Sequence, residues 1–330
     1  MVKTISHSKK STYLSCQKKA EHQYVNKMYS RKRPVYFTFG SAGHKFFEVF
    51  YRTKKPKLAM KEAMGIFDEV DTSSFSPEDH RDFTIERAKV EGICRAYPDF
   101  YSDDLKEYGT MLTELSYRRE KGFKLAETKS GEPIYYEGDI DGLVQDAAGA
   151  WWIMEHKFLS AQVLAKASFL DKLHIDDQNL GYMWLAKECA IGEFPKGIIY
   201  NVIKKPTISL RKGETLQAFS TRVKEKYTKH AEKEKYFQRY QVYIDHTHLT
   251  AWWNETAAVA KQLHSKIDRG SKLWPKNTSA CDANYGTCFY LNACKNNNYN
   301  RLLYEEAKPR EDQSQKPKST QKKKARKKVK

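Results

Sequence analysis

The stretch Glu137-Gly-Asp-Ile-Asp-Gly-Leu-Val144, joined through Asp146-Ala-Ala-Gly149 to Trp151-Trp-Ile-Met-Glu-His-Lys157, decides how the rest of the chain is read. Two runs rich in aromatic and β-branched residues flank a short turn signal, which predicts a β-hairpin with strands over Ile134–Gln145 and Ala150–Phe158. Side chains alternate faces along a strand, so Glu155 and Lys157 point the same way. If the hairpin pairs near its turn, Asp141 lies close to both. Two carboxylates on adjacent strands offer hard oxygen ligands to Mg²⁺, which needs few protein ligands and keeps several waters. A lysine beside them can orient an attacking water, help deprotonate it, or neutralise developing charge. Such chemistry suits hydrolysis of a phosphodiester. The plainer reading is a hairpin with a few solvated charges and one surface ion pair, and hairpin context alone does not separate the two.

Outward from the hairpin, residues 1–109 read as mainly helical. Thr12–Tyr29 lacks Pro and Gly and carries Tyr13, Leu14, Cys16 and Ala20 near helical spacing. Pro34–Phe39 reads as a connector ending at Gly40, and Gly43–Tyr51 as a helix through Phe46, Phe47 and Phe50. Ser76-Pro-Glu-Asp79 supplies a cap, a proline at the first helical position and early acids, predicting a helix from Ser76 to about Ala96. A short helix is expected over Asp103–Tyr108. Met111–Tyr117 and Phe123–Thr128 alternate as strands. Ser160–Ile191 returns to a helical pattern, Gly197–Ile203 reads as a buried strand, and Glu214–Lys266 as helix interrupted by a strand at Tyr240–Ile244. The sum is a mixed α/β core over residues 110–269 with a helical region before it and a loop-like, cysteine-bearing segment over 270–306.

The chain has 330 residues, 59 Lys or Arg against 41 Asp or Glu, and a formal net charge of +18. With 40% hydrophobic and 13% aromatic residues it can build a core and is not wholly disordered. No apolar run approaches the roughly 18 residues of a membrane span, and MVKTISHSKK leads into no apolar signal segment. A cytoplasmic protein is expected. Residues 307–330 hold eleven basic residues against two acids, half the net excess. A tail rich in Lys, Gln, Ser and Pro is expected to be disordered, serving either nucleic-acid binding or solubility. A basic body suggests a polyanionic partner without naming an activity.

Motif order adds what the hairpin alone lacks. Gly40-Ser-Ala-Gly-His44, Gly138-Asp-Ile-Asp141, Glu155-His-Lys157 and Gln178-Asn-Leu-Gly-Tyr182 follow one another as G-x-x-x-H, G-x-x-D, (D/E)-x-K and Q-x-x-x-Y. In this the chain resembles the RecB-like branch of the PD-(D/E)xK nuclease superfamily, which includes CRISPR-associated RecB-like exonucleases and many bacteriophage exonucleases. The resemblance covers about residues 10–295 and implies a restriction-endonuclease-like mixed sheet flanked by helices. It also implies Asp141 and Glu155 as ligands to Mg²⁺ or Mn²⁺, with His44 and the carbonyl of His156 as further ligands. Lys157 would position the water, and Gln178 and Tyr182 would fix the scissile strand. Phe158 stands where the family often has Thr. Glu48, four residues after His44, either supports the metal shell or is exposed. Asp139 shares a strand face with Asp141, but the motif favours Asp141.

Cys281, Cys288 and Cys294 are spaced C-x₆-C-x₅-C, and in an intracellular protein such a cluster suggests a metal site rather than disulfides. Three thiolates need a fourth partner. Cys16, in Ser11-Thr-Tyr-Leu-Ser-Cys16, resembles the first, distant cysteine of iron–sulfur members of the family. The resemblance implies a [4Fe–4S] cluster, with Zn²⁺ suiting four cysteines equally. Cys94 and Cys189 read as core thiols.

The function expected is a metal-dependent DNA exonuclease acting at ends or single strands in replication, recombination or repair, in a bacterial or phage-infected cell. The alternatives are an inactive nucleic-acid-binding module on the same scaffold and an RNA-directed nuclease. No G-x-x-x-x-G-K-[ST] phosphate loop is present, so a helicase partner would be a separate chain.

Overall fold

Asp146 builds the hairpin turn. Its carboxylate accepts from the amides of Ala148 at 3.0 Å and Ala150 at 2.9 Å, and from the Trp152 indole N–H at 2.9 Å. Gly149 completes the turn at φ +81°, where a side chain would be strained.

The computed structural model describes residues 2–31, 35–73, 75–101, 103, 104, 108, 110–229, 233–283 and 286–306. The helix expected over Asp103–Tyr108 falls largely outside these residues, and the basic tail over 307–330 entirely so. In chain order the elements are β1 Lys3–Ile5, α1 His7–Ser15, α2 Gln17–Ala20, β2 Met28–Ser30, α3 Val35–Thr53, α4 Pro56–Asp68, α5 Pro77–Phe100, β3 Thr110–Tyr117, β4 Phe123–Glu127, β5 Pro133–Tyr136, β6 Gly138–Gln145 and β7 Trp151–Leu159. They continue with α6 Ala161–Leu164, α7 Phe169–Leu173, α8 Asp177–Leu185, β8 Gly197–Lys204, α9 Leu216–Thr228, α10 Lys233–Tyr236, β9 Phe237–Tyr243, α11 His246–Asp268, β10 Asp282–Ala283, β11 Gly286–Thr287, α12 Leu291–Asn296 and β12 Tyr304–Glu306.

Among the described residues the central sheet has the order β3-β6-β7-β8-β9, antiparallel throughout except for the parallel pair β7–β8. That pair is reached through α6–α8, the crossover that parallel strands require. A second sheet runs β1-β5-β4. Both faces of the central sheet are covered. Val144, Trp152, Met154, Ile199 and Ile203 pack under α3, α4, α5 and α9, while Leu143, Ile153, Ile198 and Val202 pack under α8 and α11. Two-sided burial explains why β7 and β8 read as near-continuous apolar runs. Each fully buried large side chain there contributes about 1.5–3 kcal/mol. The architecture is the mixed α/β, restriction-endonuclease-like arrangement expected.

Three local readings change. The connector expected over Pro34–Phe39 is helical from Val35, and α3 runs through both Gly40 and Gly43. Burial of Phe39, Ala42, Phe46, Phe47 and Phe50 along one side outweighs the helix cost of two glycines. Ile134–Gln145 divides into β5 and β6, which belong to different sheets. At the break Glu137 donates its amide to Ile5 O, and its carboxylate receives Thr4 Oγ1 and the Arg119 amide, each at 3.0 Å. Thr12–Tyr29 is interrupted at Cys16, which is extended at φ −158° and ψ 110°. At the start of α5 the Ser76–Asp79 capping box forms as expected, with Asp79 N donating to Ser76 Oγ at 3.1 Å.

Candidate active site

The β6–β7 ladder pairs Gly142 with Met154 and goes no further. Just past that point the amide of His156 donates to Asp141 Oδ2 at 2.9 Å, so a side chain takes the place of a strand carbonyl. This holds the Asp141 carboxylate against β7. Its other oxygen, Oδ1, lies 3.0 Å from His44 Nδ1 on α3. Gly43 lets α3 come this close, because a Cβ there would stand 2.0 Å from the Phe158 ring. Phe158 thus fills the space beside His44, facing away from Lys157, edge-on to Phe39 with centroids 5.3 Å apart.

Glu155 is 1% exposed. Its Oε1 meets Lys157 Nζ at 2.5 Å, and its Oε2 is buried with no hydrogen-bond partner among the described residues. Lys157 Nζ also donates to Gln178 Oε1 at 2.8 Å, and Gln178 Nε2 donates to Tyr182 Oη at 2.7 Å. The Tyr182 hydroxyl therefore accepts within the protein and keeps its own proton for an outside acceptor. Asp176 places these groups by capping α8, accepting from the amides of Gln178 at 3.0 Å and Asn179 at 3.1 Å.

Electrostatics separate the two acids. Burial and the neighbouring Asp141 charge push the Glu155 carboxyl up to about 7, against the pull of Lys157. Asp141 stays well below the usual carboxylate range; burial opposes this, but His44 and the His156 amide outweigh it. His44 is raised, because Asp141 and Glu155 outweigh its burial. Lys157 is raised too, since Glu155, Tyr200 and Asp141 overcome desolvation.

His156 turns its side chain to the opposite face. The ring stacks on Phe47 with centroids 4.2 Å apart, and Nδ1 lies 2.7 Å from Asn201 Nδ2. Burial pushes its pKa down to about 3, so it is neutral and accepts from Asn201. Only the main chain of His156 faces Asp141. Asn201, Tyr97, Tyr51, Asp104 and Arg239 extend this contact into a buried polar network, anchored where Arg239 Nη1 donates to Asp104 Oδ1 at 2.7 Å. Sequence reading missed the network, although Asn201, the single polar residue within Gly197–Ile203, was the available signal. Glu48 is not exposed: it is 9% exposed and pairs along its own helix with Lys45 at 2.5 Å and with Arg52. Asp139 is drawn off by Arg118 and Ser116.

Cys16, Cys281, Cys288 and Cys294 line one pocket of about 220 Å³, together with Lys276 and Tyr290. Asn277 N donates to Cys16 Sγ at 3.4 Å, and His22 Nε2 lies 3.4 Å from Cys294 Sγ. Burial and the neighbouring lysines push His22 down to about 4, leaving it neutral. Burial and neighbouring sulfurs raise the thiol pKa values of Cys281 and Cys294. Cys94 is buried in the core and Cys189 half-buried. Among the described residues no three His, Cys, Asp or Glu side chains already stand in metal-holding geometry. The donor chemistry nonetheless fits an ion at each place. Glu155 Oε2 is an orphaned, buried hard oxygen beside a second carboxylate, and four cysteines converge on one cavity.

Two carboxylates and a lysine stand together at the end of the β6–β7 ladder, and Gln178 and Tyr182 reach them from α8, a donor set suited to metal-assisted phosphodiester hydrolysis. The chain matches the family model of the PD-(D/E)XK nuclease superfamily over residues 4–295, and it belongs to that superfamily. Membership places it among metal-dependent nucleases, for which Mg²⁺ or Mn²⁺ is the usual ion and nucleic acid the substrate. No curated protein matches it significantly. Among the described residues no helix is long and apolar enough to cross a membrane.

Proposed function

We propose that the chain is a DNA exonuclease of the RecB-like branch. Asp141 and Glu155 would hold Mg²⁺ or Mn²⁺, which when bound supplies Lewis acidity at the phosphate and a nucleophilic water. The observation that carries this reading is the buried, partnerless Glu155 Oε2 beside Asp141, with Lys157 bridging Glu155 and Gln178. His44 contributes through its ring: with Nδ1–H donated to Asp141, Nε2 keeps the lone pair that a cation needs. His156 contributes through its main chain. Lys157 orients the attacking water as a donor and offsets negative charge, while Gln178 holds the lysine in place and the free proton of Tyr182 meets the scissile-strand phosphate.

Four assembled cysteines, with an N–H···S bond at Cys16, support a [4Fe–4S] cluster that fastens α1 to the segment over 270–306. Zn²⁺ is the competing occupant. The reading places the protein in the cytoplasm of a bacterial or phage-infected cell, in replication, recombination or repair, with unwinding left to a separate helicase chain. By this reading residues 1–109 supply His44 and Cys16, 110–269 the nuclease core, 270–306 the remaining cysteines, and 307–330 a basic tail.

The test is a digestion panel of linear, circular and single-stranded DNA and of RNA, with Mg²⁺, Mn²⁺ or EDTA. Expected is metal-dependent loss of linear DNA that Asp141→Ala and Lys157→Ala each reduce at least 100-fold. Full activity in both variants removes the assignment of the site. Cleavage of closed circles or of RNA replaces the substrate, and binding without cleavage in the wild type leaves an inactive module. Anaerobically purified protein should be brown and should lose that colour in Cys288→Ser; a colourless protein with stoichiometric zinc transfers the pocket to Zn²⁺.

A further inference from the structure

Lys10, on α1, is 5% exposed and carries a charge that none of the chemistry above uses. Its Nζ donates to Asp177 Oδ1 and, at 2.8 Å, to Thr256 Oγ1, and lies 5.5 Å over the Trp252 ring. Asp177 is gripped from two further sides: its Oδ2 lies 2.9 Å from His7 Nδ1, and its carbonyl accepts the Trp252 indole N–H at 3.1 Å. Burial would raise the Asp177 carboxyl, but His7 and Lys10 hold it below its ordinary value. Asp177 is the first residue of α8 and Gln178 the second. Successive helical side chains lie about 100° apart, so anchoring Asp177 against α1 and α11 sets the direction in which Gln178 leaves the helix. That direction is the 2.8 Å bond from Lys157.

An ion pair whose lysine is buried and whose aspartate is half-buried is a modest device for stability, because apolar residues of similar size often do as well. Its value lies in fixing orientation. We infer that Lys10 is a positioning residue: through Asp177 it fixes the first turn of α8 and so holds Gln178 against Lys157. This rests on the hydrolytic reading of the Lys157 site.

The discriminating variant is the apolar pair Lys10→Met/Asp177→Leu, which leaves no buried charge unpartnered. Its expected melting temperature is within a few degrees of wild type, yet kcat on a linear oligonucleotide with Mn²⁺ falls about tenfold with KM little changed. In a Gln178→Ala background the same pair should cost nothing more, since coupled residues are non-additive. Wild-type kcat in the apolar pair, or an equal further loss in the Gln178→Ala background, overturns the inference. A second measurement needs no activity. In protein labelled with ¹⁵N-glutamine, the Gln178 side-chain amide, assigned by its disappearance in Gln178→Ala, should shift in the apolar pair. It should shift less in His7→Ala, which removes only one contact, and stay in place in Phe219→Leu, a destabilising change in the opposite core. An unmoved amide in the apolar pair overturns the inference. If the wild type cleaves nothing, the hydrolytic reading fails by itself, and the amide still decides whether Lys10 orients Gln178.

Discussion

Replacing Glu155 by Gln should change how the metal-free protein responds to pH. Burial and the Asp141 charge lift the Glu155 carboxyl from 4.5 to about 7 in the folded state. Below pH 4.5 the group is protonated whether the chain is folded or not, and it contributes nothing. Between 4.5 and about 7 the unfolded chain releases its proton while the folded chain keeps it, so folding stability falls as pH rises. Above 7 the full penalty is in force and the slope ends. A shift of this size corresponds to about 3 kcal/mol at roughly 1.4 kcal/mol per unit. Gln keeps the shape of the side chain and an acceptor for Lys157, so the lost Glu155 titration is the main pH-dependent difference, joined by a smaller one from His44, which Glu155 helps to raise. The assay is thermal unfolding in EDTA at half-unit steps from pH 4.5 to 8.5. The difference in melting temperature, Glu155→Gln minus wild type, should grow with pH by on the order of 5 °C and then level off. Added Mn²⁺ should stabilise the wild type increasingly above pH 6 and leave the variant almost unaffected. Parallel melting curves across the range would refute the reasoning, because Glu155 would then be ionised at acid pH like any exposed carboxylate.

Further outcomes follow from the packing around the site. Gly43→Ala puts a methyl group 2.0 Å from the Phe158 ring, which should cost about 1–3 kcal/mol in urea unfolding and lower activity as His44 moves; a silent substitution would mean that α3 does not press on β7 there. Arg239→Met strands the Asp104 carboxylate, which is 3% exposed, and should cost about 3–5 kcal/mol, whereas Arg239→Met/Asp104→Leu should recover much of the loss. Calorimetric Mn²⁺ titration should also show weaker binding in the single variant, because the network holds β7 through His156.

The hairpin and the meeting of Asp141, Glu155 and Lys157 beside it were legible because they are local. A turn residue with a good acceptor, an alternating Glu155-x-Lys157 and apolar strands lie within a few residues of one another, where periodicity and turn chemistry act. The Ser76–Asp79 cap was readable for the same reason. The continuous α3 was not, since two glycines argue against a helix until the Phe-rich face they interrupt is seen buried against β7. Nor was the split between β5 and β6. Nothing inside Ile134–Gln145 records that β5 will pair with β1, more than a hundred residues earlier. The Asn201–Arg239–Asp104 network and the Lys10–Asp177 pair are long-range polar contacts whose members look like ordinary charges in one dimension. Glu48, open in the sequence between support and exposure, is buried and paired along its own helix instead.

The two faces of β7 explain why one strand can carry both the reactive groups and their support. On one side Glu155 and Lys157 form an incomplete ion pair: Glu155 Oε2 has no partner among the described residues, and Lys157 reaches on to Gln178. On the other side His156 is neutral, stacked on Phe47 and hydrogen-bonded to Asn201, with its demands met inside the protein. A strand satisfied on both faces could tolerate small shifts, and one unsatisfied on both would not stay in place. Here the satisfied face fixes the position at which the unsatisfied carboxylate is presented. The same logic assigns the lysine its task. With Glu155, Tyr200 and Asp141 around it, Lys157 keeps its proton. Of the three roles open to it from sequence, the proposed function gives it the orienting of water and the offsetting of charge. Lys157→Arg, which keeps the charge but spreads the donors over a planar fork, should therefore retain metal affinity while losing most of its turnover; a variant as active as wild type would show that charge alone, and not the placement of Nζ, is what the site requires.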